Sequence, residues 1–536
     1  MPTPALSLAD ITAATQALRE TGSQRKAAAT LGISRRTLRD RLDKALTHKP
    51  LYAGRVGVFR REVFPVPKKG VARYILTCAQ NNTPVHKGFM DNLEAYAAAV
   101  GAQIHISTYT YNHNAFGELS TKQGTKKTQE DIWYDERVLP YRSDRSIEIA
   151  PALVWCGEMN ILPTAVEPLS GLETYTGRKS GVFPAAKLSM RSVASVKSEP
   201  TKFNYTTGTV TQRNYIQKKA VQKAEFHHCY GALIVEVDAD GDWFVRQLLA
   251  TDDGSFYDLD AFASDGVVTF GHTVEAITWG DTHAEVVDPI IAAVCWDEGG
   301  ILDQLKPRYQ FLHDLVDFRR RNHHDTRNPH LQFKKHVQGR EAVEGEVENT
   351  AALVVNKIIR PRTETVVVDS NHDNAFLRWL REGDYRTDPV NAVWFLEAQL
   401  EVYRAIKDGR DDFHLIEWAL RKKGVPHEVR FLRQDEPFLI CKAYGGGIEC
   451  GMHGDLGPNG ARGSPQSLKR IGRKANTGHT HSAGIYDGLW VAGLTAMMEQ
   501  GYNIGPGSWS HSQILTHKNG KRQMITIWSG KWRARP

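Results

Sequence analysis

Val274-Glu275-Ala276-Ile277-Thr278-Trp279-Gly280-Asp281-Thr282-His283 joins an apolar, β-favouring run to a turn that carries a carboxylate and an imidazole two positions apart. The run predicts a buried strand, and the Gly-Asp-Thr-His turn then presents Asp281 and His283 at the strand's carboxyl end. Open α/β sheets bind their ligands at that edge. The layout recurs downstream, where residues 365–368 (Thr-Val-Val-Val) run into the turn Asp369-Ser370-Asn371-His372-Asp373. Three further pieces carry the same side-chain types in order: His313-Asp314-Leu315-Val316-Asp317, Gly451-Met452-His453, and Gly478-His479-Thr480-His481. The last lies in a Gly-rich loop, where two histidines one residue apart can face two ions. Imidazole, carboxylate and amide oxygen are ligands that borderline and hard divalent ions accept, and sulfur is absent from the set. In a chain with 21 histidines any single fragment arises by chance. Five in this order, two of them directly after predicted strands, predict a metal site.

Taken together the five pieces resemble the pattern of the calcineurin-like metallophosphoesterases: Asp-x-His, Gly-Asp-x-x-Asp, Gly-Asn-His-Asp or Gly-Asn-His-Glu, a lone His, then Gly-His-x-His. The resemblance covers residues 268–536. It implies a four-layer α/β/β/α sandwich holding two divalent ions, Mn²⁺ first, with Fe²⁺, Zn²⁺ or Mg²⁺ as alternatives. It places Asp281, His283, Asp314 and His481 on one ion, and Asp314, Asn371, His453 and His479 on the other, with Asp314 bridging. His372 is then left to protonate the leaving oxygen while a metal-bridging hydroxide, generated between ions about 3.5–4 Å apart, attacks phosphorus. Two positions depart from the pattern, since His313 and Ser370 stand where it has glycine; neither removes a ligand. Asn322-His323-His324-Asp325 offers a competing Asn-His pair, but it follows Arg319-Arg320-Arg321 in a stretch that reads as helix, with no strand before it. Asn371-His372 therefore ranks above it, with His323 or His324 able to line the site. Asn503-Ile504-Gly505-Pro506-Gly507-Ser508 resembles the turn that follows the last motif in this family.

The amino terminus points to nucleic acid. Residues 23–42 read as helix, turn, helix: small alanines at 27–29, Gly32 at a helix-ending position that wants positive φ, and Ser34 as the cap of the next helix. Ser7 as cap and Leu8, Ile11, Thr15 and Leu18 at helical spacing mark an earlier helix. The segment resembles the Fis-type helix-turn-helix, whose second helix reads the major groove; with Leu38 and Leu42 turned inward, Arg35, Arg36 and Arg39 face DNA. Residues 1–72 hold 14 Lys and Arg against 5 Asp and Glu, a surplus of nine, although the whole chain has a surplus of only seven. A positive field confined to one end suits a module that tethers a polyanion.

The 536 residues, 41% apolar and 24% charged, predict a globular protein of about three domains. The expected division is a helix-turn-helix domain at 1–50, a linker at 51–70, a middle α/β domain at 71–267 and the metallophosphoesterase domain at 268–536. No apolar run approaches the roughly eighteen residues of a membrane span, and the first residues lack a signal peptide's basic and apolar regions. Six scattered cysteines without a Cys-x-x-Cys predict reduced thiols and a cytoplasmic setting. In the middle region, residues 73–79, 89–100 and 103–109 predict a β-α-β start, and residues 232–237 and 243–248 a hairpin. Residues 121–128 and 202–223 mix Lys and Arg with Thr or with Phe203, Tyr205 and Tyr215, a composition able to touch phosphates and stack bases. This region could also assemble a homo-oligomer. The expected function is a two-metal DNA nuclease similar in logic to the SbcD-like exonuclease branch, with phage origin and action in the host cytoplasm suiting the architecture. A small-nucleotide phosphodiesterase or phosphatase, and a DNA-bound regulator with a vestigial phosphoesterase fold, are the alternatives.

Overall fold

The computed structural model describes residues 8–21, 23–47, 61–111, 132–215, 219–325 and 328–534, which divide into two compact units, Met1–Arg61 and Glu62–Pro536. The first unit holds helices Leu8–Thr21, Gln24–Thr30 and Arg35–Thr47. Ala14, Ala17, Ala27 and Ala28 are buried with Leu38 and Leu42, so methyl-sized side chains let the helices approach closely. Gly32 ends the second helix at a φ of +62°, and the Ser34 hydroxyl accepts the Thr37 N–H at 3.0 Å to start the third. Arg35, Arg36 and Arg39 are exposed. Ser7, the side chains of Leu8, Ile11 and Thr15, residues 51–60 of the expected linker, and the Lys-rich stretch 121–128 lie outside the described residues.

In the second unit a six-stranded sheet runs in the order Arg430–Phe431, Glu364–Val367, Tyr309–Leu312, Ala276–Thr278, Ser512–Thr516, Arg522–Thr526. The first four strands are parallel, and the last two pair antiparallel. Successive side chains leave opposite faces of a strand, and this sheet uses both. Ile277, Leu312 and Val367 pack on helices through Trp296, Val347, Phe376, Phe395 and Leu420. Ala276, Phe311 and Val366 point the other way, onto Phe438, Ile440, Ile448 and Cys450 of a second sheet. The result is helix, sheet and sheet in layers.

That second sheet has eleven strands drawn from two distant parts of the chain, 62–206 and 439–491. They join where Ser189–Val193 pairs antiparallel with Gly484–Tyr486, Met190 opposite Ile485. The segments expected as separate middle and C-terminal domains therefore share one sheet and one unit, because a short strand such as Gly484–Tyr486 leaves an unpaired edge that a neighbour must cover. The stretch around Lys202 also differs from expectation. Lys202–Thr206 is a fully buried strand, and the Lys202 ammonium donates to the Glu173 and Gly177 carbonyls, so these residues are closed to phosphates and bases.

The predicted β-α-β start is present as Ala72–Gln80, Lys87–Val100 and Ala102–Tyr109, and with the hairpin Gly231–Val237/Trp243–Leu249 it makes a four-stranded sheet. Beside it lies a buried ionic network. Arg246, 2% exposed, donates to both oxygens of Asp258 at 2.7 Å and to Glu236 at 2.8 Å, and Tyr96 donates to Asp258 at 2.5 Å. Asp258→Ala would leave a buried guanidinium and phenol short of their acceptor. The expected cost is about 3–5 kcal/mol of folding stability, read as a lower urea midpoint; an unchanged midpoint would refute it. All six cysteines are free, and among the described residues no helix is long and apolar enough to cross a membrane.

Candidate metal centre

Asp281 and His283 follow the strand Ala276–Thr278, His313 and Asp314 follow Tyr309–Leu312, and Asn371 and His372 follow Glu364–Val367. These strands are parallel neighbours, so their carboxyl ends share one edge. The facing sheet supplies the rest: His453 comes after Ile448–Glu449, and His479 and His481 come after Lys474–Thr477, again a parallel pair. The site sits where the carboxyl edges of two sheets converge.

Ligand atoms of Asp281, His283, Asp314 and His481 all lie within 4.8 Å of one another. His481 Nε2 is 3.0 Å from Asp281 Oδ2 and 3.1 Å from His283 Nε2, while His283 Nε2 is 3.7 Å from Asp314 Oδ2. Beyond Asp314, His453 Nε2 stands 3.3 Å from the same Oδ2 and 3.1 Å from Asn371 Oδ1. The His479 ring is 5.1 Å from that of His453. Asp314 is thus central, with one group of side chains on either side.

The donors fit divalent ions. Asp281 Oδ1 and Asp314 Oδ1 are buried and have no hydrogen-bond partner among the described residues, an arrangement buried carboxylates otherwise avoid. Two imidazole nitrogens 3.1 Å apart beside such oxygens form a donor set that a cation can join. Backbone strain concentrates here too: His283, Asp314, His479 and His481 have φ of 43°, 45°, 74° and 57°, in the left-handed region that non-glycine residues occupy at a cost. Gly478 is needed for the approach of the last loop, because a Cβ there would sit 2.1 Å from Asp281 Oδ1; as built, the His479 N–H donates to Asp281 Oδ2 at 2.8 Å.

His313 and Ser370, which depart from the metallophosphoesterase pattern that the sequence resembles, both have local explanations. Ser370 caps the helix Asn371–Glu382 by accepting the Asp373 N–H. His313 is fully buried, with its Nδ1 3.4 Å from His453 Nδ1 and its ring stacked on that of His453. Burial holds the His313 imidazole down at about 4, so it stays neutral and can accept the His453 Nδ1–H, turning His453 Nε2 toward Asp314 and Asn371. If His453 ligates an ion, His313→Ala is expected to weaken metal retention by about 10–100-fold in a chelator competition. Unchanged affinity would reduce His313 to packing.

Asp317, quoted in the second motif but given no role by sequence, organises the other side. Its Oδ1 lies 3.0 Å from His283 Nδ1 and 3.2 Å from His372 Nδ1, and its carbonyl is 3.0 Å from His372 Nδ1. Its position three residues after Asp314 is the signal that could have found it. Burial opposes charge on His372, but Asp314 and Asp317 outweigh that and raise its pKa to about 10. The His372 Nδ1–H is committed to Asp317, which leaves Nε2–H for the cleft. Burial likewise works to raise the Asp314 carboxyl, and the neighbouring His453 and His372 hold it well below the usual range.

A cleft of about 1420 Å³ opens onto Asp314, Asn371, His372, His479 and His481. Asn322 and His324 line it from a run of turns, not from the helix the sequence suggested. Arg319, Lys334, Arg340 and Arg462 also line the cleft, with Arg319 Nε 3.3 Å from Asp317 Oδ2.

Residues 15–44 match the family described as bacterial regulatory protein, Fis family, so the N-terminal unit carries a Fis-type helix-turn-helix. Over 473 residues the chain is 41% identical to Protein A1 of Escherichia phage T5, an alignment that covers 86% of this chain and 82% of that protein. No solved structure matches.

Proposed function

The chain belongs to the family of Protein A1 of Escherichia phage T5, and we propose that it is a divalent-metal-dependent phosphodiesterase that hydrolyses DNA in the cytoplasm of an infected host. The observation that carries this reading is the gathering of Asp281, His283, Asp314, Asn371, His453 and His481 from five separate segments around buried carboxylate oxygens that have no hydrogen-bond partner among the described residues. The layered helix, sheet and sheet arrangement, with the candidate ligands at the carboxyl edges, supports a calcineurin-like metallophosphoesterase fold. Ions held there would supply a nucleophile near neutral pH and neutralise the charge that builds on phosphoryl oxygens.

The chain's own groups do the rest. Asp281, His283 and His481 hold one side of the site, Asn371, His453 and His479 the other, and Asp314 faces both. His372 holds a proton at Nε2, within the cleft, for the departing alkoxide, and Asp317 fixes the ring so that this nitrogen faces the substrate. The helix-turn-helix would hold DNA through Arg35, Arg36 and Arg39. Replacing these three by alanine is expected to weaken DNA binding and to flatten log K against log salt by about 0.9 for each phosphate no longer neutralised. Fluorescence anisotropy across a salt series reads this, and an unchanged slope would remove the assignment.

The deciding experiment incubates the pure protein and Asp281→Ala with Mn²⁺ on linear duplex, circular duplex and single-stranded DNA, beside bis(4-nitrophenyl) phosphate. Metal-dependent cleavage of DNA by the parent and not by the variant is expected. Hydrolysis of the chromogenic diester alone would move the substrate to small nucleotides, and no hydrolysis at all would leave a DNA-bound regulator.

A further inference from the structure

The cleft carries an aromatic pair, Tyr502 exposed and Trp509 half-buried, that the metal chemistry does not use. Tyr502 is 58% exposed, and its ring lies 5.7 Å from Trp509 in an edge-on arrangement; Trp509 in turn packs 4.4 Å from the ring of His481. The Tyr502 hydroxyl donates to Gln500 Oε1 at 3.3 Å, and Arg319 donates to the Gln500 carbonyl at 2.8 Å. The tyrosine is therefore tethered at its polar end and open along its ring. Lys334 and Arg462 also line the cleft, both are exposed, and neither forms an ion pair among the described residues.

The metal ligands themselves are recessed, with Asp281, Asp314 and His453 no more than 3% exposed. The cleft that opens onto Asp314, His479 and His481 is lined by Tyr502 and Trp509 as well, so a strand whose phosphate reaches the ligands shares that cleft with the aromatic pair. In a duplex the base attached to that phosphate is paired, and both its faces are covered by neighbours. In a single strand its face is free to meet a ring, an interaction that tolerates any sequence because every base has a π-face.

We infer that Tyr502, backed by Trp509, is a stacking platform for an unpaired base beside the scissile phosphate, with Lys334 and Arg462 contacting flanking phosphates, so that the site takes single-stranded DNA or a frayed terminus. This rests on the phosphodiesterase reading above.

The test uses the full chain with Mn²⁺ and single-stranded oligonucleotides in which one abasic position is walked along the strand. Tyr502→Ala should raise KM on the intact strand by roughly tenfold to a hundredfold, and Tyr502→Phe should restore it. On the strand that is abasic at the stacked position, the ratio between Tyr502→Ala and the parent should fall toward one. As a readout free of turnover, 2-aminopurine at that position should be quenched on binding to the parent without added metal and not on binding to Tyr502→Ala. Equal losses on intact and abasic strands, a preference for blunt duplex, or unquenched 2-aminopurine would overturn the platform. Failure of the parent to hydrolyse even bis(4-nitrophenyl) phosphate would instead overturn the phosphodiesterase reading, and the platform with it.

Discussion

An Asp314→Ala chain is expected to retain neither ion and to hydrolyse no phosphodiester, a deeper loss than removal of the proton donor, which typically costs about 10²–10⁴-fold. The reason is position. Asp314 Oδ2 lies 3.7 Å from His283 Nε2 and 3.3 Å from His453 Nε2, so both ligand groups converge on one carboxylate. Without it, His283 Nε2 and His453 Nε2 lose the carboxylate that stands between them. Metal content after gel filtration, measured beside turnover and near-UV circular dichroism, separates loss of the ions from loss of the fold. A folded Asp314→Ala protein that kept two ions and its rate would dismantle the proposed centre.

His372→Ala should behave differently, keeping its metal while turnover on DNA falls by about 10²–10⁴-fold. Its Nδ1 is spent on Asp317, and although ligand atoms of His283, Asp317 and His372 lie within 4.8 Å of one another, the group formed by Asp281, His283, Asp314 and His481 is complete without it. The loss should also depend on the leaving group. A deoxyribose alkoxide needs a proton to depart, whereas 4-nitrophenolate leaves as a stable anion, so the variant should lose far less on bis(4-nitrophenyl) phosphate than on DNA. Equal losses on both, or loss of metal, would reassign His372 from proton donor to ligand support.

Much of the centre can be read from residues alone, because each ligand sits at a short, fixed offset from a strand that announces itself by composition. Ala276–Thr278 and residues 365–367 are buried and β-branched or apolar, and the turns after them have nowhere to go except the sheet edge. Asp317 escapes that logic, since its role depends on where the rings of His283 and His372 arrive from residues far along the chain. His313 escapes it too: a histidine replacing a glycine looks like damage until His453 is seen to stack on it. The fold is legible within local units, such as the β-α-β start and the hairpin, and illegible where pairing is long-range. Arg191 reaches the Ile485 carbonyl across 294 positions, a separation no periodicity encodes. Lys202, Phe203 and Tyr205 look like a nucleic-acid surface in composition, yet both faces of their strand are covered, and a strand buried on both sides loses the alternation that would reveal it.

The eleven-stranded sheet also governs how this protein can be dissected. A recombinant fragment of residues 268–536 would hold all seven proposed ligands, yet Gly484–Tyr486 would come off the ribosome with its outer hydrogen-bonding groups bare, a template for sticking to other copies. Such a fragment is expected in inclusion bodies, while one beginning near residue 62 keeps every partner strand and should stay in the supernatant. Insertions or crossovers between the two halves carry the same handicap, which binds the upstream segment and the candidate metal-binding edge into a single heritable block.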